Sequence, residues 1–158
     1  MRVGTGWDIH PLVEGRDLIL GGVTIENSKG CAGHSDGDAL LHAIIDAMLG
    51  AAGLEDIGTQ FPDTDETYRD ISSLTLLRVA HDLVRENGYN VVNVDSTIIL
   101  QSPRLAPYKN EMCIRIAQAL DLDEDCVSVK AKTAEHMLCE LGRSDAVVAQ
   151  AAVLLEEN

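Results

Sequence analysis

Aromatic side chains are nearly missing from this chain. One Phe, one Trp and three Tyr make up 3% of its 158 residues, although 46% are hydrophobic. The core must therefore be built from Val, Ile, Leu and Ala. Basic residues are also scarce: 12 Lys and Arg stand against 26 Asp and Glu, for a net charge of −14. Nonspecific binding to nucleic acid or to an anionic membrane is excluded as a primary role, since both need a basic surface. Phosphates remain possible ligands, held by metals, local Lys or Arg, or backbone N–H groups. The four cysteines (Cys31, Cys113, Cys126, Cys139) show no C-x-x-C spacing. They read as reduced thiols rather than a disulfide framework or a zinc knuckle. No stretch reads as a signal peptide or a membrane span, and no internal repeat stands out. A cytoplasmic location (cytosol or organelle stroma) and one domain over residues 1–158 are the expectations.

The pattern along the chain predicts an α+β fold. Arg2 to His10 reads as a strand, and Asp17–Leu20 and Val23–Ile25 as two short ones around Gly21-Gly22. Ser35 or Asp36 can cap a helix running from about Asp38 to Ala52, with Gly53 as its stop. Asp38, His42 and Asp46 fall on one polar stripe of that otherwise apolar helix. A polar loop follows over Glu55 to Asp70, then a helix from Ser72 or Ser73 to near Gly88. A strand over Val91 to Leu100, a helix over Tyr108 to Leu120, and strands over Val127–Lys132 and Asp145–Leu155 complete the order. The last strand is apolar on both faces. Helices on one face of a mixed sheet would cover only one of them, so the other is expected to meet a partner subunit.

The strongest chemical signal is Asp8-Ile9-His10 with His42 some thirty residues on. A D-x-H pair on a strand points a carboxylate and an imidazole to the same face. Taken alone it also reads as a pair of unrelated polar residues; a second imidazole, from a following helix, supplies the third ligand of a mixed O/N metal set. One carboxylate and two imidazoles suit zinc with one position left open, the arrangement of a catalytic rather than a structural site. Asp46, one turn after His42, is either a group that orients His42 or holds substrate, or a solvated helix residue.

Other segments carry two readings each. His34-Ser35 precedes a helix start; Ser35 as a cap explains itself, but His34 suggests an anion site there. Asp56-Ile57-Gly58 and Phe61-Pro62-Asp63-Thr64-Asp65 are either an ordinary acidic loop or a binding loop with an exposed aromatic. Lys130 and Lys132 share a strand face, followed by Thr133 and Glu135, which suggests a phosphate site with Glu135 able to hold a Mg2+ ion. Arg104, after Ser102-Pro103, is a loop cation or a phosphate contact. His81 and His136 read as structural.

Taken together, these segments resemble the 2-C-methyl-D-erythritol 2,4-cyclodiphosphate synthase family. The resemblance rests on Gly6-Trp7-Asp8-Ile9-His10, Gly33-His34-Ser35-Asp36-Gly37-Asp38, Asp56-Ile57-Gly58 with Phe61–Asp65, Gln101-Ser102-Pro103 and Val129–Thr133, and it covers nearly the whole chain. It implies a homotrimer with sheets packed around a three-fold axis and active sites between subunits. It implies Zn2+ on Asp8, His10 and His42, and a second divalent ion, Mg2+ or Mn2+, on Glu135. His34 and Thr133 would be catalytic. Ser35, Asp46, Asp56, Ile57, Gly58, Phe61, Asp63 and Asp65 would bind substrate. So would Leu100, Pro103, Arg104, Leu105, Ala106, Ala131, Lys132 and Arg143, most of them around a cytidine and its phosphates. The implied reaction closes a cyclic diphosphate from 4-diphosphocytidyl-2-C-methyl-D-erythritol 2-phosphate and releases CMP.

Two departures stand out. Lys132 replaces a Thr of the family's TTTE run, which adds a charge near the phosphates. Residues His136 to Asp145 lack the aromatic of the family's KLGF and GRGEG stretch, and only Gly142-Arg143 aligns, with a one-residue shift. The resemblance implies a cavity on the trimer axis, bordered by that stretch, that can hold an isoprenoid diphosphate; the altered residues weigh against that ligand without excluding it. Two rival roles use the same triad: a zinc phosphohydrolase that activates water, and a non-catalytic, metal-stabilised trimer that binds isoprenoid diphosphates.

Overall fold

The computed structural model describes residues 1–62, 64–68 and 71–158. Strand β1 (Arg2–Glu14) continues four residues past His10, and its end pairs with a short strand, β4 (Lys29–Cys31). The sequence pattern misses β4 because Lys-Gly-Cys shows no alternation. Gly30 is needed there: a Cβ on it would lie 2.1 Å from the Asp17 carbonyl oxygen. Strands β2 (Leu18–Leu20) and β3 (Val23–Ile25) form a separate hairpin, turned by Gly21 and Gly22 at φ 60° and 74°.

The main sheet runs in the order β4-β1-β7-β5-β6, with β5 (Tyr89–Ile99), β6 (Val127–Lys132) and β7 (Ala146–Glu157). Only β5 and β6 pair in parallel, across helix α4 (Lys109–Ala119). The sheet is therefore mixed, and the fold is α+β. Four strands precede the first helix rather than three.

Helix α1 (Ala39–Ala52) fills the core. Eleven of its fourteen residues are buried, so a polar side chain can emerge only along the line His42, Asp46, Gly50. Its cap is Asp38, not Ser35 or Asp36: the Asp38 carboxylate accepts from Leu41 N at 3.1 Å. It also accepts from Gly21 N (2.9 Å) and Gly22 N (2.7 Å), which ties the β2–β3 hairpin to the helix. Asp38 is thus fully buried and lies off the polar stripe. Burial pushes its carboxyl up to about 6, and the charge of Asp36 adds to this against the three N–H donors. Gly53, at φ 77°, stops the helix.

Strand β1 and α1 touch backbone to backbone. A Cβ on Gly4 would lie 2.0 Å from the Ala47 carbonyl oxygen, so only glycine permits this approach. The approach brings His42 over Asp8 and His10. Helix α3 (Ser73–Glu86) buries Leu76, Leu77, Ala80 and Val84, and α4 buries Met112 and Ile116, on the same side of the sheet as α1. The loop expected over 55–70 contains a single-turn helix, α2 (Ile57–Gln60), and a further turn at Glu66–Tyr68.

The other face of the sheet is open in the single chain. Val3 (71% exposed), Trp7 (56%) and Ile9 (45%) stand on it, in register with Leu154, Gln150 and Val148. Toward β5 and β6 the same face turns polar, with Asp95 and Lys130 paired across the strands. That pair removes Lys130 from the expected phosphate site and leaves Lys132 unopposed by it.

Candidate metal centre and adjoining cavities

Asp8, His10 and His42 converge as the spacing predicts. Asp8 Oδ2 lies 2.8 Å from His10 Nε2 and 3.0 Å from His42 Nδ1, and the two ring nitrogens are 3.2 Å apart. Among the described residues these three form the one cluster able to hold a metal ion. Three ligand atoms at such spacings can share an ion with bonds of about 2.0–2.1 Å, and an O/N/N set with no thiolate suits a divalent metal with an open position. His10 is already aimed: its Nδ1 lies 2.6 Å from the Ala32 carbonyl oxygen. A carbonyl only accepts, so Nδ1 carries the proton and Nε2 faces the centre.

Electrostatics fit this grouping. Burial opposes the Asp8 charge, but hydrogen bonds from His10 and His42 outweigh it and hold the carboxyl well below the usual range. Burial likewise opposes a proton on His10, yet Asp8 prevails and raises its pKa.

The triad opens into a cavity of about 310 Å³ lined by His10, His34, Ser35, His42, Ile57, Gly58, Phe61, Tyr68 and Leu76. The buried Nε2 of His34 has no hydrogen-bond partner among the described residues, the mark of a group waiting for a polar ligand. Phe61 is buried, not exposed as expected, because its ring packs edge to face on Tyr68, 5.5 Å between centroids. Asp46 is half-buried and accepts from Ile57 N at 2.8 Å. It therefore fixes the loop that forms the cavity wall; burial raises its pKa. Asp56 caps α2 through Thr59 N, and Asp65 accepts from Thr67 N; both are exposed. Asp63 lies outside the described residues.

A second cavity, about 230 Å³, lies at the ends of β5 and β6. It is lined by Leu100, Gln101, Pro103, Arg104, Leu105, Ala106, Ala131, Lys132 and Thr133, so every residue expected around a nucleotide there is brought together. Thr133 Oγ1 donates to Glu135 at 2.5 Å beside it. Glu135 is not among the ligand atoms that converge with Asp8. Arg143 lines neither cavity and pairs with Glu140 (3.1 Å) and Asp145 (3.4 Å). A larger groove of about 580 Å³, along Asp82, Arg85, Glu86, Asn90 and Asn158, gathers no such set of ligand atoms, so size alone does not find the site. Tyr68 and Leu76 line the metal cavity without any signal in the sequence, since only the contacts the fold creates bring them there, whereas Gln101 lies within the 100–106 segment expected around the nucleotide.

Comparison with known proteins agrees with this arrangement. The model of the YgbB family matches residues 1–156. A 2-C-methyl-D-erythritol 2,4-cyclodiphosphate synthase of Laribacter hongkongensis is 56% identical over 158 residues, covering 100% of this chain and 97% of its own. A solved synthase of the same name, in a CDP-bound form, superposes with a TM-score of 0.90 at 38% identity, covering 98% of this chain and 100% of its own. A Plasmodium falciparum protein solved as a CDP complex gives a TM-score of 0.85 at 38% identity, covering 99% of this chain and 96% of its own. The chain therefore belongs to the YgbB family, that of the 2-C-methyl-D-erythritol 2,4-cyclodiphosphate synthases, and is an enzyme of the cyclising lyase class.

Proposed function

We propose that the chain, acting as one domain over 1–158, converts 4-diphosphocytidyl-2-C-methyl-D-erythritol 2-phosphate to 2-C-methyl-D-erythritol 2,4-cyclodiphosphate and CMP. The observation that carries this reading is the convergence of Asp8 Oδ2, His10 Nε2 and His42 Nδ1 at the mouth of a cavity, in a chain of this family. In the reaction an oxygen of the 2-phosphate bonds to the β-phosphorus. The bond from that phosphorus to the bridging oxygen breaks, and CMP leaves with the oxygen. No water is consumed and no protein nucleophile is required.

Both reacting groups belong to one molecule, so folding it into an attack geometry supplies much of the rate. Asp56 and Gly58 hold the methylerythritol hydroxyls, and Asp46 keeps that loop in place through Ile57 N. Ser35, Ile57, Phe61, Asp63 and Asp65 complete that side of the substrate site, and His34 donates to a phosphate. Leu100, Pro103, Arg104, Leu105, Ala106, Ala131 and Lys132 cradle cytidine and its phosphates, with Thr133 on the transferring group. Arg143 contributes to substrate binding from its place before β7. Zn2+ on Asp8, His10 and His42, with Mg2+ or Mn2+ on Glu135, would withdraw charge from the phosphoryl oxygens.

We further infer a homotrimer built on the open sheet face around Val3, Trp7 and Ile9, with sites between neighbouring subunits. Such a patch of exposed apolar residues is the kind that subunits cover. A cytoplasmic enzyme accords with the absence, among described residues, of any helix long and apolar enough to cross a membrane. No isoprenoid diphosphate is assigned to the axis. The test is incubation with the cytidylyl substrate, with and without a zinc-specific chelator, followed by phosphorus NMR. Equal, chelator-sensitive formation of CMP and cyclic diphosphate is expected; release of inorganic phosphate would make the chain a phosphohydrolase instead.

A further inference from the structure

His42 offers one ring nitrogen, Nδ1, to Asp8 and His10. Its other nitrogen, Nε2, points the opposite way, 3.0 Å from Ser73 Oγ and 3.0 Å from Ser35 Oγ. These two hydroxyls are not equivalent. Ser73 Oγ donates to Asp36 Oδ1 at 2.5 Å, and Ser73 N donates to Asp36 Oδ2 at 2.9 Å. A hydroxyl has one proton and two lone pairs, and a carboxylate oxygen accepts. With its proton committed to Asp36, Ser73 Oγ can only accept from His42. Ser35 Oγ accepts from Gly37 N at 3.2 Å, which leaves its own proton uncommitted, so Ser35 imposes no direction.

We propose that Asp36 and Ser73 are positioning residues that hold the proton of His42 on Nε2, and so present Nδ1 with a free lone pair to the metal centre. The proposal rests on the metal reading of Asp8, His10 and His42. The relay mirrors the one at His10, where the Ala32 carbonyl fixes the opposite nitrogen. With an ion bound, each imidazole is therefore held at its outer nitrogen by a partner outside the triad, which leaves the inner nitrogen to the metal.

The segments involved are far apart in sequence. Asp36 lies in the turn before α1 and Ser73 opens α3, where Ser72 makes no side-chain cap. The Asp36 carboxylate takes the place of that cap by accepting from Ser73 N. A purely structural role, tying the start of α3 to the turn, therefore needs only the backbone bond. The hydroxyl of Ser73, fully buried, is surplus to that role.

This difference makes Ser73→Ala the decisive variant, since it removes the hydroxyl and keeps the N–H bond to Asp36. Zinc dissociation constants of the metal-stripped parent and variant would be measured by competition with a chromophoric chelator. Ring-15N histidine labelling of the zinc-loaded proteins would report the Nε2–H of His42 among only five histidines, assigned with a His42→Gln variant. The parent should bind zinc through Nδ1 and show an Nε2–H signal protected from solvent exchange. The variant should lose that protection and bind zinc about 10- to 100-fold more weakly, with its zinc-free thermal midpoint little changed. Zinc bound through Nε2 in the parent would overturn the proposal, even if the variant failed to fold. So would an unaltered affinity, or weakened affinity with the Nε2–H signal intact. A parent that binds no zinc would instead overturn the metal reading, and the relay with it.

Discussion

Gly6 passes beneath Ala43 so closely that a Cβ on the glycine would lie 1.9 Å from the Ala43 carbonyl oxygen. Gly6→Ala must push α1 away from β1, at a cost of about 3 kcal/mol or more, since even well-tolerated overpacking reaches that range. Gly50, on the same helix, has nothing within 4 Å of its Cβ position. Gly50→Ala should therefore raise stability by about 0.5–1 kcal/mol. Urea unfolding of the metal-free proteins tests both. Zinc affinity should fall only in Gly6→Ala, because only that change separates His42 from Asp8.

The Asp8–His10 pair gives the metal-free protein a stability window in pH. Asp8 is depressed in the folded state, so its contribution is present above about pH 4 and is lost as the pH falls. His10 is raised, so its contribution is full below about pH 6.5 and is lost as the pH rises through its folded value. The stability difference between parent and Asp8→Asn should therefore peak between these limits. The difference is the quantity to measure, because Asp38, at about 6 when folded, loses stabilisation over the same range in both proteins. Zinc must displace the His10 proton, so its affinity should climb with pH through that region.

His42→Ala removes a ligand atom but leaves α1 packed. Zinc affinity should fall by about 100-fold or more and cyclisation should be lost, while sedimentation still reports a trimer. Full activity would sink the assignment of the triad.

Glu135→Gln keeps the shape of the side chain beside Thr133 and removes its charge. Turnover should lose its dependence on added Mg2+ or Mn2+, with zinc content unchanged. An unaltered metal titration would remove Glu135 from the second ion.

Trp7 is the only tryptophan, and it stands on the open sheet face. Trp7→Asp should dissociate the assembly in sedimentation experiments. In the parent, dilution should shift tryptophan emission to longer wavelength as the ring meets water.

Much of this molecule is legible without coordinates. The D-x-H strand and the His42 helix were readable because periods of 2 and 3.6 dictate which side chains share a face. The residues of the second cavity came from family resemblance, since nothing in Leu100–Ala106 has a period. What escaped was contact at long range. Asp38 looks like a stripe residue because its spacing from His42 is helical, yet three N–H groups from two segments bury it. Phe61 looks exposed in a polar loop until Tyr68 closes on it. Ser73 looks like any helix-opening serine, and only the fold brings it to His42.

No described residue lines both the metal cavity and the one at the ends of β5 and β6. The chain thus carries its two chemical capacities as separate modules. If the metal module of one subunit faces the nucleotide module of the next, damage to either is recessive within a mixed assembly. Chains broken at His42 and chains broken at Lys132 would, when co-assembled, meet at one interface with both lesions and at another with neither, so two inactive proteins would together regain turnover.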